Sequence, residues 1–129
     1  MSIADQVRFD EQGLVLVAVT DHRTNRLLVQ CYMNREALEK TASAGMVHVF
    51  RRSRQQVLLK GQTSGHFQRL REIRINCENN SLEMRVEQEV GACHAGYYSC
   101  YYRRWDEARG EWVEREERVF DPEAVYRGR

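Results

Sequence analysis

The sequence predicts a single α+β domain, residues 1–129, with a mostly antiparallel sheet and one principal helix. A length of 129 residues suits one domain, and a hydrophobic content of 42% is enough to form a core. Short β-branched and aromatic runs alternate with polar turns along most of the chain, a pattern typical of antiparallel strands. One stretch alone combines helix start and stop signals. With one proline and no low-complexity segment, we expect no linker and no second domain.

The first two apolar runs, residues 13–19 and 27–33, are separated by the polar stretch 20–25, which predicts a β-hairpin. Cys31 lies inside the second run, far in sequence from the other cysteines. We expect it to pack in the core as a small apolar side chain rather than to bind a metal.

The principal helix is predicted to begin after Asn34, whose side chain can cap the first turn. Glu36 lies in that turn, and small or apolar residues follow at helical spacing. Gly45 is placed to end the helix in the left-handed conformation. We expect about three turns that pack against the sheet.

The second half of the chain returns to strand patterns, and Asn79 and Asn80 form a turn signal between two of them. A polar turn at 106–110 leads into Trp112 and Val113. The charged segment 114–129 is compatible with either an edge strand or a tail. The further predicted strands are residues 47–50, 56–59, 68–76, 82–90 and 101–105.

Charge and hydropathy argue against several classes of partner. A formal net charge of +1 argues against a nucleic-acid or membrane binder, which normally carries a large excess of lysine and arginine. No apolar stretch approaches the roughly 20 residues that cross a bilayer, and the first residues lack signal-peptide features. We therefore expect a cytoplasmic protein whose cysteines are thiols or metal ligands rather than disulfides.

Three of the four cysteines, Cys77, Cys93 and Cys100, are spaced C-x15-C-x6-C, and His94 directly follows the middle one. Three thiolates without a fourth cysteine suggest a zinc ion with one open position. Catalytic zinc needs that position for the attacking water, whereas structural zinc closes all four. The alternative interpretation is a set of buried cysteines in a strand-rich core.

A basic segment occupies residues 48–74, which contain seven lysines and arginines and a single acidic residue, Glu72. Within it, residues 60–66 read KGQTSGH. Glycines that bracket hydroxyl residues beside a lysine can form a phosphate-binding loop, because backbone N–H groups then point at the anion. The alternative is an ordinary turn on a solvated face. Because the basic segment is local in a nearly neutral chain, we expect a small phosphorylated ligand rather than a nucleic acid.

Four motifs in this order resemble those of the phosphoribosyl-AMP cyclohydrolase family, which hydrolyses the adenine ring of phosphoribosyl-AMP in histidine biosynthesis. They are YMNREAL at 32–38, VHVFRRSR at 47–54, KGQTSGH at 60–66, and GACHAG with SCYYR within 91–103. The resemblance implies an intertwined homodimer with its active site at the subunit interface. It also implies a zinc ion bound by Cys77, Cys93 and Cys100, with ligands from both chains. The substrate-binding residues it implies are Arg52, Ser53, Arg54, Lys60, Thr63, Ser64 and Gly65.

The family's second metal, magnesium, is held by three aspartates around the first cysteine, and here the sequence departs from the pattern. Those positions are Asn76, Glu78 and Asn80, so two carboxylates have become neutral amides, which hold magnesium less well. Gln62 replaces a further carboxylate, and Arg51 replaces a serine. One hypothesis is that magnesium is not used and that an arginine meets the phosphate instead. The other is that the substrate has changed.

His94 is the first candidate for the general acid and base, because it adjoins a zinc ligand and histidine titrates near neutrality. It could instead pack, or orient Cys93. His66 is a second catalytic candidate, and both it and His48 could bind phosphate, orient a neighbour or serve a structural role. The zinc deaminases use a different H-x-E and P-C-x-x-C signature, which does not occur here.

Three functions remain open from the sequence. The first is zinc-dependent opening of the adenine ring of phosphoribosyl-AMP. The second is a diverged zinc amidohydrolase or cyclohydrolase of the same fold that acts on another purine-like or amidine substrate. The third is a zinc- or nucleotide-binding module without catalysis.

Overall fold

The computed structural model describes residues 2–126 and has a central four-stranded sheet with one principal helix packed on it. The sheet contains β1 (Val15–Asp21), β2 (Leu27–Met33), β5 (Gln68–Ile75) and β6 (Ser81–Gln88), in the order β2-β1-β6-β5. The β1–β2 and β5–β6 pairs are antiparallel, whereas β1 and β6 are parallel. The predicted α+β class and mostly antiparallel sheet are confirmed.

The remaining elements are two ribbons and three helical segments. A 3-10 turn at Ile3–Gln6 precedes the sheet, and α1 spans Arg35–Ala44. The first ribbon pairs β3 (His48–Arg51) with β4 (Gln56–Leu59), and the second pairs β7 (Arg103–Asp106) with β8 (Glu111–Glu114). A short helix, α2, spans Pro122–Tyr126. Two predicted strands were too long: residues 89–90 and 101–102 lie outside the sheets, and Val90 has a positive φ.

The core lies between one face of the sheet and α1. Alternate residues of β1 and β6, among them Val17 and Met84, point to that face and are fully buried. Ala37 and Leu38 of α1 cover them. Cys31 packs against the same core, and burial raises the pKa of its thiol to about 12. Its predicted core role is confirmed.

Helix α1 begins and ends where the sequence predicted. The Ala37 N–H donates to the Asn34 side chain at 2.9 Å, so Asn34 is the N-cap. Gly45 adopts the left-handed conformation with φ 71°. Its N–H donates to the Thr41 carbonyl, which closes the last turn.

All four cysteines carry free thiols, as expected. Among residues 2–126, no helix has the length and apolar character needed to span a membrane. Segment 114–129, for which an edge strand or a tail was predicted, contains the last residue of β8 and all of α2 in its described part. Residues 127–129 lie outside the described residues.

Asp21 ties the sheet to the loop that follows β6. It is 1% exposed and accepts hydrogen bonds from the Tyr98 hydroxyl at 2.5 Å and from the Arg23 backbone N–H at 2.9 Å. Burial raises the pKa of Asp21, but the hydrogen bonds from Tyr98 and Arg23 together lower it below its ordinary value. The ionised carboxylate therefore stabilises the packing of Tyr98 against β1.

The Asp21→Asn substitution is expected to lower the free energy of unfolding by about 1–3 kcal/mol at neutral pH, because a buried charged acceptor is lost. A carboxyl pKa that is depressed in the folded state gives stability that is complete above the unfolded pKa of about 3.9 and is lost as the pH falls through the folded pKa. Urea unfolding over a pH series should therefore show the wild type and variant converging below about pH 4. Glu11→Gln, at an exposed position, is the matched control. A difference that stays constant over the series would contradict the assignment.

Candidate functional site

A cleft of about 400 Å³ lies between the β3–β4 ribbon, the loop after β4 and the loop after β6. It brings together several predicted site residues that are far apart in sequence: Arg54, Lys60, Thr63, Ser64 and His94. Its walls also include apolar residues of the ribbon and four further residues. The additional lining residues are Val49, Arg51, Leu58, Leu59, Gly61, Gln62 and Tyr126.

The loop 60–66 forms one wall of the cleft and is tightly closed. The Gly65 N–H donates to the Gly61 carbonyl at 2.7 Å, and the His66 N–H donates to the Ser64 hydroxyl at 3.1 Å. Gly61 has φ 92°, and a Cβ there would lie 2.6 Å from the His66 carbonyl oxygen. Only glycine fits this position, both for its backbone conformation and for the space available. The loop is therefore compact and is closed by its own hydrogen bonds.

The loop after β6 carries Cys93, His94 and Cys100. The Cys93 N–H donates to the Tyr97 carbonyl, and the Cys100 N–H donates to the Leu28 carbonyl at 2.7 Å. These bonds hold Cys93 and Cys100 close enough for one thiol to affect the pKa of the other. Burial, and then the neighbouring Cys93 thiol, raise the pKa of Cys100 to about 11. The structure thus places two of the three predicted zinc ligands together.

Lys60 links the two loops that form the cleft. Its ammonium group donates to the Ala92 carbonyl at 3.4 Å and is close enough to Cys100 to oppose the rise in the pKa of that thiol. His94 follows Cys93, and its side chain is exposed in the cleft wall. An imidazole and a cation therefore lie in the same cleft, close to the two thiols.

Cys77 lies elsewhere. It is exposed in the turn between β5 and β6, at the end of the sheet where Ser81 pairs with Leu16. Cys100 bonds to Leu28, near the opposite end of β1. Cys77 and Cys100 are therefore separated by about 10 Å along the strand direction and by about 10 Å across two strand spacings. The thiolate ligands of one zinc ion, by contrast, each lie about 2.3 Å from the metal.

The three cysteines of one chain therefore do not form one site. In the part of the chain that the structure describes, no three His, Cys, Asp or Glu side chains converge as a metal site. Two thiols side by side fit part of a zinc site, but the described residues of this chain bring no third ligand-type side chain together with them.

The turn that carries Cys77 is closed by the side-chain amides of Asn76 and Asn80, two of the three positions at which the sequence resemblance implied magnesium ligands. The Asn76 side-chain oxygen accepts from the backbone N–H groups of Asn80 and Ser81, both at 2.9 Å. The Asn76 amide nitrogen donates to the Asn80 side-chain oxygen at 2.7 Å. Of the three positions, Glu78 alone carries a carboxylate, and its side chain is exposed. This donor set does not fit magnesium, which favours carboxylate and phosphate oxygens.

A second recess of about 400 Å³ adjoins the Cys77 turn, and its lining includes Arg8, Tyr32 and Asn80. Arg52 lies at this recess rather than in the cleft, because its guanidinium carbon stands 4.3 Å from the centre of the Tyr32 ring. Ser53 is exposed in the turn between β3 and β4. Within one chain, Arg52 and Ser53 are therefore absent from the described lining of the cleft that contains Arg54.

The other two candidate histidines, His48 and His66, have contacts within the chain. His48 Nδ1 lies 2.8 Å from the Met46 carbonyl, an acceptor, which assigns the proton to Nδ1. The His66 ring packs edge-on against Phe120, with centroids 4.6 Å apart. His66 Nδ1 is buried and finds no hydrogen-bond partner among residues 2–126. His94 is the histidine of the described cleft lining.

Tyr126 in the cleft and Phe120 behind it were not predicted from the sequence. The available signal was weak: Tyr126 ends a short apolar patch, Ala124-Val125-Tyr126, within an otherwise charged segment. Such a patch predicts that the segment packs against another part of the protein, but it does not indicate which part.

Comparison with known proteins identifies relatives over nearly the whole chain. The sequence model of one family, described as Phosphoribosyl-AMP cyclohydrolase, matches residues 29–102, more than half of the chain. A phosphoribosyl-AMP cyclohydrolase of Methanosarcina barkeri is 47% identical over 98% of this chain and 97% of its own length. One from Methanosarcina acetivorans is 50% identical over 90% of this chain and 92% of its own. The histidine biosynthesis bifunctional protein HisIE of Thermoanaerobacter pseudethanolicus is 42% identical over 97% of this chain and 57% of its own length.

Proposed function

The chain belongs to the phosphoribosyl-AMP cyclohydrolase family, and we propose that it opens the adenine ring of phosphoribosyl-AMP by hydrolysing the N1–C6 bond, as a step of histidine biosynthesis. The observation that carries this proposal is the cleft, which places His94 and a cationic glycine loop beside the paired thiols of Cys93 and Cys100. A spectroscopic ring-opening assay on phosphoribosyl-AMP with zinc-loaded protein tests it.

The phosphate groups of the substrate bind at the loop 60–66. Lys60 and Arg54 both line the cleft, where the Lys60 ammonium can pair with phosphate and the Arg54 guanidinium can bind it through two parallel hydrogen bonds. Arg51, at the serine position of the family motif, adds a third cation to the same wall. A cleft of about 400 Å³ suits a small ligand rather than a polymer.

Zinc would be held by Cys93 and Cys100 of one chain and by Cys77 of a second copy, in a homodimer with its sites at the interface. The exposure of Cys77 and its separation from the other two thiols support this arrangement. Zinc, when bound, supplies a polarised water whose pKa is about 7 in other zinc enzymes. Free thiols are needed for this role, which is consistent with work in the reducing cytoplasm.

His94 moves the protons. It accepts a proton from the attacking water as the new C6–O bond forms, and it donates a proton to N1 as the N1–C6 bond breaks. The exocyclic amino group stays on C6, which becomes a carboxamide, so ammonia is not released. His66, the last residue of loop 60–66, packs against Phe120 and is not part of the described cleft lining, so we assign it a role in positioning the loop.

We further propose that magnesium is not required. Zinc content near one per chain and the same turnover with and without added magnesium are the expected results. The reason is that the amides of Asn76 and Asn80 already close their own turn and leave Glu78 as the single carboxylate. Arg51 would then meet the phosphate where the family uses the metal.

The matched variant restores the three aspartates of the family motif as Asn76→Asp, Glu78→Asp and Asn80→Asp. It should gain magnesium binding by calorimetry. A gain in phosphoribosyl-AMP turnover with magnesium would mean that the site has merely decayed, whereas no change would favour a changed substrate. Strict magnesium dependence of the wild type would contradict the proposal.

The altered magnesium positions also support a second candidate, a diverged zinc amidohydrolase or cyclohydrolase that acts on another purine-like or amidine substrate. Its signature would be poor turnover of phosphoribosyl-AMP together with faster hydrolysis of a related phosphorylated purine. Tight nucleotide binding without turnover of any of them would identify a binding module instead.

A further inference from the structure

The C-terminal segment, defined here as residues 114–126, packs directly on the loop that carries Cys93 and His94. The Val119 and Phe120 N–H groups both donate to the Gly96 carbonyl, at 2.7 and 3.3 Å. A Cβ at Gly96 would lie 2.7 Å from the Phe120 carbonyl oxygen, and one at Gly91 would lie 2.9 Å from a Val119 methyl group. The two glycines that bracket Cys93 thus leave room for this segment.

Polar contacts fix the first half of the C-terminal segment. Glu114 accepts a hydrogen bond from the Tyr97 hydroxyl at 3.0 Å, and Glu116 forms an ion pair with Arg26 at 2.5 Å. The Arg118 guanidinium lies over the Tyr97 ring, 5.7 Å from its centre. Contacts of Glu114, Glu116 and Arg118 therefore hold the segment against the β1–β2 turn and the loop after β6.

The second half of the segment makes aromatic contacts beside the cleft and ends in its lining. Phe120 packs edge-on against His66, with an angle of 81° between the rings, and its ring centre is 6.5 Å from that of Tyr126. Tyr126 lines the cleft together with Lys60 and His94. Phe120 thus stands between the wall formed by loop 60–66 and the aromatic ring of Tyr126.

An aromatic ring and a group of cations in one cleft match two parts of a nucleotide. The planar base can stack on the Tyr126 ring, while the phosphate pairs with Lys60 and the arginines. We propose that Tyr126 is a substrate-binding residue that stacks on the purine ring, and that Phe120 is a positioning residue that holds His66 and loop 60–66 against the C-terminal segment. This inference rests on the proposed function of the cleft in nucleotide binding. It extends the site beyond residue 102, where the match to the family's sequence model ends.

The test of Tyr126 compares steady-state kinetics of Tyr126→Ala and Tyr126→Phe on phosphoribosyl-AMP. Loss of the ring in Tyr126→Ala should raise KM about 10-fold with little change in kcat, in line with the energy of stacking one base. Tyr126→Phe keeps the ring and should remain close to wild type. The control is Glu123→Ala, at an exposed position of the same helix, which should change neither parameter.

An unchanged KM for Tyr126→Ala would overturn the assignment of Tyr126, as would an equal loss in Tyr126→Phe, since the hydroxyl would then carry the contact. Calorimetric binding of AMP to wild type and Tyr126→Ala separates this result from a failure of the proposed function. If the wild type binds AMP without turning over phosphoribosyl-AMP and Tyr126→Ala weakens that binding about 10-fold, the proposed reaction fails while the stacking role stands.

Phe120 is tested by Phe120→Ala and by the conservative Phe120→Leu. Removal of the side chain should raise KM severalfold, and leucine, which fills most of the space beside His66, should restore most of the wild-type value. A Phe120→Ala variant with lower thermal stability but wild-type KM and kcat would show that Phe120 merely supports the fold, and would overturn its positioning role.

Discussion

A mixture of Cys77→Ser and Cys93→Ser chains is expected to regain activity that neither variant has alone. Each variant alone should lose at least about 1,000-fold in turnover, because a ligand of the proposed zinc ion is missing from every site. In a dimer that contains one chain of each kind, the intact Cys77 of one chain meets the intact Cys93 and Cys100 of the other. One of the two sites is then complete.

The physical reason is the separation of Cys77 from the other two thiols within one chain. After unfolding and refolding of an equimolar mixture, half of the dimers are mixed and each has one complete site, so activity should reach about a quarter of wild type. Zinc content measured on the same samples should rise in parallel. Cys31→Ala is the matched control, since Cys31 packs on the core and should leave zinc content unchanged. A mixture as inactive as its components would show that the three cysteines do not share an interface site.

The second large effect is expected for His94→Ala, which should lower kcat by about 100- to 10,000-fold through loss of general acid–base catalysis. Zinc content should stay at the wild-type level, because His94 is not assigned as a ligand. Added imidazole should restore part of the activity, since the cleft wall would then have space where the exposed side chain stood. A nearly normal rate would remove His94 from the mechanism, and loss of zinc would reassign it to metal binding.

Local features of the fold could be predicted from the sequence because each depends on a few neighbouring residues. The Asn34 cap and the Gly45 terminus define α1 by themselves, and Asn79 with φ 60° forms the predicted turn. The parallel pairing of β1 with β6 could not be predicted in this way. Alternation of buried and exposed residues is the same in parallel and antiparallel strands, and the pairing joins Leu16 to Ser81.

The residues of the candidate site also fall into two groups, those that a local motif identifies and those that tertiary packing alone brings to the cleft. Lys60, Ser64 and His94 lie in motifs that resemble a known family, so their chemistry could be predicted before their positions were known. Phe120 and Tyr126 lie in a charge-rich segment with no such motif, and their role depends on packing against loops that are distant in sequence. Only the tertiary structure brings them to the cleft.

The ion pair between Arg26 and Glu116 joins residues 90 positions apart, and it anchors the segment that covers the Cys93 loop. During synthesis, the amino-terminal hairpin therefore emerges long before the residue that completes this contact. The site reaches its final packing only when almost the whole chain has left the ribosome. Until then, the glycines on either side of Cys93 have no C-terminal segment to pack against, so the proposed zinc ion would bind its thiols late in folding.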